Sequence, residues 1–174
     1  MPTIRSIRRL GLAAAAIGAA TVLALPGNAF AVTKLSQSAA ASQLRAAGVT
    51  WSSSGNCNTR SNASCTSLEQ INQATVDGLK TLKRASGCAI NVTGGTEVGH
   101  ASGTYSHYNG YKVDITPNTC ASNYITRSFT HISNRGDGAV RYRSSAGNVY
   151  ARERNHWDIT YCGGSSACTS AASS

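Results

Sequence analysis

Six cysteines constrain this chain more than any other feature. Cys57, Cys65, Cys88, Cys120, Cys162 and Cys168 all lie after residue 56. An even count behind an apolar leader argues for three disulfides formed in an oxidising compartment. Many pairings are open to six cysteines. Short spacing favours Cys57–Cys65 and Cys162–Cys168, which leaves Cys88–Cys120. The rival use, a cysteine metal site, has no C-x-x-C to support it.

The leader itself has three parts. Arg5, Arg8 and Arg9 form a positive start, Leu10 to Leu25 is rich in Ala and Leu, and Ala29-Phe30-Ala31 fits an A-x-A cleavage site. Residues 1–31 therefore read as a signal peptide and 32–174 as the working domain. The apolar run is short of the ~20 residues that a membrane-spanning helix needs. Arg8-Arg9 also allows a twin-arginine signal. Cleavage leaves 143 of the 174 residues, enough for one domain with one core. It also removes three of the 16 basic residues and none of the seven acidic ones, so the formal charge falls from +9 to +6. A basic secreted protein is drawn to polyanions such as bacterial walls. The expected state is a secreted monomer with no nucleic-acid partner and no membrane attachment after cleavage.

The clearest element is a helix over Thr66 to Gly87. Thr66-x-x-Glu69 reads as a capping box, and Leu68, Ile71, Thr75, Leu79 and Leu82 form a stripe. Lys80, Lys83 and Arg84 suit its C-terminal end, and Gly87 its stop. Val32 to Leu44 reads as a short helix or a loose arm, and Val49-Thr50-Trp51 as a short strand. Further strands are expected at Cys88–Val92, Tyr111–Ile115, Ser128–Ile132 and Trp157–Tyr161, with a hairpin around Ser144–Gly147. Thr116 to Thr126 reads as a loop and the tail after Cys168 as frayed. This order predicts an α+β domain: an antiparallel sheet with a helix packed on one face.

The chemistry-bearing residues fall in two stretches. In the first, His107 and Asp114 flank Asn109-Gly110, a pair that favours a tight turn. The following alternation puts Val113 and Ile115 on one face and Lys112 and Asp114 on the other. His107 can then fold back onto Asp114. In the second, Glu153 and His156 are three apart. They share a site only if the chain bends at Arg154-Asn155. His107, Asp114 and His156 make a three-ligand zinc site, which leaves a position for water, with Glu153 as the general base.

Both stretches resemble a known family. His107-x-x-Gly110-x-x-x-Asp114 and Glu153-x-x-His156-Trp157 are similar to the H-x-x-G-x-x-x-D and E-x-x-H-[WF] motifs of zinc D-Ala-D-Ala carboxypeptidases and their relatives. The hedgehog signalling domain shares that fold. Val92-Thr93-Gly94-Gly95 resembles the strand and Ser/Thr-Gly segment before the first ligand, and the similarity runs from about Thr66 to Tyr161. The resemblance implies Zn2+ on His107, Asp114 and His156, with Glu153 as base. It implies a peptidase of bacterial peptidoglycan peptides. Thr96-Glu97-Val98 departs from it where family carboxypeptidases carry a substrate-binding Arg, and Asn155 replaces a frequent Trp.

Other residues have two readings each. His100 binds substrate or stabilises an oxyanion, or it makes a hydrogen bond within its loop. Glu97 holds a substrate amine or orients a ligand, or it is a solvated loop carboxylate. Trp157, Tyr105, Tyr108 and Tyr111 line a pocket, or they belong to core and rim. Asp158 reads as an ordinary surface or hydrogen-bonding residue and His131 as a surface or sheet residue. Two rival functions remain: a non-catalytic zinc-binding module of the same fold, and a metal-free wall-binding protein.

Overall fold

The computed structural model describes residues 32–174, so the expected signal peptide lies outside the described residues. Those residues form a mixed α+β unit. A two-stranded ribbon pairs β1 (Lys34–Leu35) with β3 (Ile71–Asn72). The main sheet has seven strands: β2 (Thr50–Trp51), β4 (Asn91–Gly94), β5 (Lys112–Ile115), β6 (Thr130–Ile132), β7 (Val140–Arg143), β8 (Val149–Arg152) and β9 (Trp157–Thr160). Their order is β2-β4-β5-β9-β8-β7-β6.

This sheet is mixed rather than wholly antiparallel, because β2 pairs parallel with β4. A parallel pair needs a crossover, and helix α2 (Gln73–Ser86) lies in that connection. The other neighbours are antiparallel. Helix α2 buries Thr75, Val76, Leu79 and Leu82 and ends at Gly87, whose φ of +67° few other residues adopt. It begins later than the sequence predicts. The Thr66 hydroxyl donates to the carbonyls of Ser52 and Thr93 instead of capping a helix. Glu69 accepts from the Gln37 N–H, and Gln70, at φ +63°, breaks helical geometry. Long-range hydrogen bonds override the local capping signal.

Helix α1 (Gln37–Ala46) resolves the ambiguous Val32–Leu44 segment. Two more helices replace expected irregular chain. Helix α3 (Thr119–Ser128) is capped by the Asn118 side chain and buries Ala121 and Ile125, too few apolar positions to show in sequence. Helix α4 (Ser166–Ser173) is capped by Ser165. The disulfide Cys162–Cys168 and the buried Arg141, which donates to the carbonyls of Ala172 and Ser174, tie that tail down. The other disulfides are Cys57–Cys65 and Cys88–Cys120, and no cysteine is free. Among the described residues no helix is long and apolar enough to cross a membrane.

The core lies under α1, α2 and α3, where Val113, Ile115, Trp157 and Ile159 point inward. Strands β5 and β9 pair Val113 with Ile159 and Ile115 with Trp157 on that face. The alternate pairs, Lys112 with Thr160 and Asp114 with Asp158, therefore stand on the opposite face.

Candidate metal centre

The site is built on that opposite face, and two glycines make room for it. A Cβ at Gly94 would stand 2.4 Å from Asp114 Oδ2, and one at Gly95 1.9 Å from the Ser67 carbonyl oxygen. Only glycine lets β4 pass this close to the carboxylate and to the neighbouring backbone. The Gly95 carbonyl accepts from His107 Nδ1–H at 2.9 Å. This contact fixes the ring and aims Nε2 at Asp114, the arrangement typical of metal-binding histidines. The Asn109-Gly110 turn forms as expected. Gly110, at φ +75°, donates from its N–H to the His107 carbonyl, and this folds His107 back over β5.

Glu153 and His156 meet because the β8–β9 connection is a tight loop. Arg152 pairs with Trp157, and the Glu153 N–H donates to the His156 carbonyl at 3.0 Å. The required bend at Arg154-Asn155 is present. His156 Nδ1–H donates to Asn155 Oδ1 at 2.8 Å, which turns Nε2 towards Glu153 and Asp114.

Asp114 Oδ1 is the focus. It lies 3.4 Å from His107 Nε2 and 3.5 Å from His156 Nε2, and it is buried with no hydrogen-bond partner. Two donors at about 2.0–2.1 Å from one tetrahedral metal ion stand about 3.3–3.4 Å apart. The spacing, the bare buried oxygen and the imidazole–carboxylate donor set all fit a metal ion. A second grouping overlaps the first. Ligand atoms of His100, His107 and Asp114 all lie within 4.8 Å of one another, and His156 stands outside this group. His100 stacks on His107, with ring centroids 3.8 Å apart, and its Nδ1 is 3.8 Å from Asp114 Oδ2. Its Nε2 is already joined to Glu97 Oε1 at 2.9 Å. His107 and Asp114 belong to both groupings, and His156 Nε2 also lies 3.3 Å from Glu153 Oε2. Among the ring nitrogens of His100, only Nδ1 is uncommitted.

Glu97 is buried rather than solvated. It accepts from the N–H groups of Ser67 and Gly95 as well as from His100. Burial pushes its carboxyl up, but these hydrogen bonds outweigh that and hold it below its ordinary value. Its placement makes it an anchor for His100. Trp157 is 1% exposed, and its indole N–H donates to Ser122 on α3, so it belongs to the core and not to the cleft. Tyr108 is exposed under Arg60, Tyr105 and Tyr111 pack edge to face, and His131 is exposed on the edge strand β6.

Sequence reasoning missed Arg135 and Lys112 as site residues, and of its two readings of Asp158 the hydrogen-bonding one holds. Asp158 is buried, and its Oδ2 accepts from Lys112 Nζ at 2.7 Å and Arg135 Nη1 at 3.0 Å. Burial raises its carboxyl, yet His107 and Lys112 hold it well below the usual carboxylate range. Alternation along Trp157-Asp158-Ile159 carried the signal, since it puts Asp158 on the face opposite its apolar neighbours. Arg135 comes from the β6–β7 loop, where no periodicity marks it. Its guanidinium joins Asp137, Glu153 Oε1 at 2.5 Å and Asp158. These acids, Asp137 first, raise its pKa. Lys112 sits beside it in the same network.

Without a metal, His107 is a cation at neutral pH. Burial lowers its pKa, but Asp114 and Asp158 more than offset this and push it up to about 9. These groups line a cleft of about 880 Å³, and Glu153 and His156 stand at its rim, half-exposed. Chemically the arrangement offers a cation position with a carboxylate beside it in an open cleft. No family model, curated protein or solved structure matches this chain.

Proposed function

We propose that this chain is a secreted zinc-dependent peptidase that hydrolyses amide bonds. One observation carries the reading: the bare, buried Asp114 Oδ1, held at tetrahedral spacing from two imidazole nitrogens. His107, Asp114 and His156 would hold the ion, and zinc suits two imidazoles and a carboxylate. Zinc in that position would lower the pKa of a coordinated water from ~15.7 towards ~7.

Glu153 supplies the proton transfers. Its Oε2 lies 3.3 Å from His156 Nε2, beside the ion's position, while Oε1 is held by Arg135. It takes a proton from the attacking water and gives one to the leaving nitrogen. His100, anchored by Glu97, faces the same cleft and keeps its Nδ1 lone pair towards it. Peptidoglycan stem or cross-bridge peptides are the proposed substrate, on the motif resemblance alone. The leader-like start and three disulfides support an extracellular location.

The test joins two measurements on one preparation: zinc content by atomic absorption, and mass spectrometry of purified peptidoglycan after digestion. Zinc with no cleavage would favour the non-catalytic module. Absence of both would favour the metal-free wall binder.

A further inference from the structure

Asp114 and Asp158 are direct partners on β5 and β9, with both carboxylates on the same face. Like charges in that relation destabilise a sheet. Lys112 and Arg135 relieve this on one side only, since both hold Asp158 Oδ2. Asp158 Oδ1 is buried and accepts no hydrogen bond. It lies 3.7 Å from His107 Nε2, too far for a hydrogen bond. Asp114 Oδ1 is bare in the same way, 3.4 Å from the same nitrogen. One imidazole nitrogen thus faces two bare oxygens, one from each strand. Two buried carboxylate oxygens that accept no hydrogen bond therefore converge on one imidazole nitrogen.

We propose that Asp158 is a fourth protein ligand of the metal ion, binding through Oδ1 beside His107, Asp114 and His156. This rests on the metal reading above and adds a donor to it. With one further position left open, the ion would be five-coordinate, a state zinc reaches. Lys112 and Arg135 keep Oδ2, so Asp158 binds through one oxygen and its plane is set in advance. The two aspartates together cancel the charge of a divalent ion. The centre is then fixed to β9 itself as well as to the loop that carries His156.

The test uses the mature protein, stripped of metal and titrated with Co2+. In wild type labelled with 13C-aspartate, the infrared difference between loaded and metal-free protein should show two carboxylates adopting the wide stretch splitting of one-oxygen coordination. Asp158→Asn should leave one. It should also weaken Co2+ binding beyond the about 10–100-fold loss typical of residues that only support a ligand. Asp137→Asn, which removes another partner of Arg135, should leave the two-carboxylate signature intact. A single such carboxylate in wild type, a result needing no variant to fold, would overturn the proposal and leave the three-ligand site standing. Failure of wild type to bind Co2+ would overturn the metal site and this proposal with it.

Discussion

The backbone N–H of Glu153 donates to the carbonyl of His156 at 3.0 Å and closes a four-residue loop between two antiparallel strands. On a continuous strand the two side chains would point to opposite faces. The closed loop brings Glu153 Oε2 to 3.3 Å from His156 Nε2. The carboxylate proposed as base and the proposed ligand are thereby positioned by one turn.

Glu153→Gln keeps the shape of that turn and removes the basicity. Zinc content and folding should stay near wild type, while turnover of peptidoglycan fragments falls by ~10²-fold or more, the scale of losing a general base. Near-normal turnover would assign the proton transfer to another group.

His107→Ala should remove the ion and the activity together. Wild type should hold one zinc per chain by atomic absorption. Stoichiometric zinc retained in the variant would exclude His107 as a ligand.

Gly94→Ala and Gly95→Ala should fail in different ways. A Cβ at Gly95 meets a backbone carbonyl at 1.9 Å, which cannot yield without moving the chain. Thermal unfolding should show a loss of ~3 kcal/mol or more, at the upper end for overpacking. At Gly94 the clash is with the Asp114 carboxylate, a side chain that can turn aside. Gly94→Ala should lose metal affinity by about tenfold or more, the effect of disturbing a ligand's support, with a smaller change in melting.

In the metal-free protein, stability should peak in mildly acidic buffer. The pKa of His107 rises on folding from 6.5 to about 9, so its contribution is complete below pH 6.5 and is lost as pH rises through 9. Asp158 moves the other way. Its contribution is complete above 3.8 and is lost as pH falls towards its depressed folded value. Chemical denaturation in EDTA should therefore give the highest stability between about pH 4 and 6.5. The fall across the alkaline limb should be at most about 3.5 kcal/mol. His107→Gln should flatten that limb; an unchanged limb would reject the assignment.

Denatured, unreduced protein should titrate no free thiol. Breaking Cys88–Cys120, with a sequence separation of 32, should cost most, about 4 kcal/mol against about 2–3 for the two short loops on chain-entropy grounds. Equal losses for all three would point to strain or contacts instead.

Much of this site is legible in the sequence because its geometry is local. The Asn109-Gly110 turn, the alternation through Asp114 and the three-residue step from Glu153 to His156 are each set by neighbouring residues. Arg135 was not legible, since its place depends on where the β6–β7 loop comes to rest. Asp158 was legible in orientation only; its pairing with Asp114 depends on strand register. For the same reason the start of α2 was misplaced: Thr66 and Glu69 have a capping pattern, but partners 14 to 32 residues away claim both side chains. Helices α3 and α4 are not legible in the sequence, because polar caps and a disulfide define them more than any apolar stripe does.

The register that joins Asp114 to Asp158 also orders events in time. His107 and Asp114 approach each other through a turn that closes within one short segment, so half of the centre can assemble early. Glu153, His156 and Asp158 arrive only when β9 docks between β5 and β8, a pairing that spans more than forty residues on the β5 side. Contacts so distant along the chain form late. A refolding chain should therefore capture its metal only after the middle of the sheet has closed, which makes metal uptake a clock for that step.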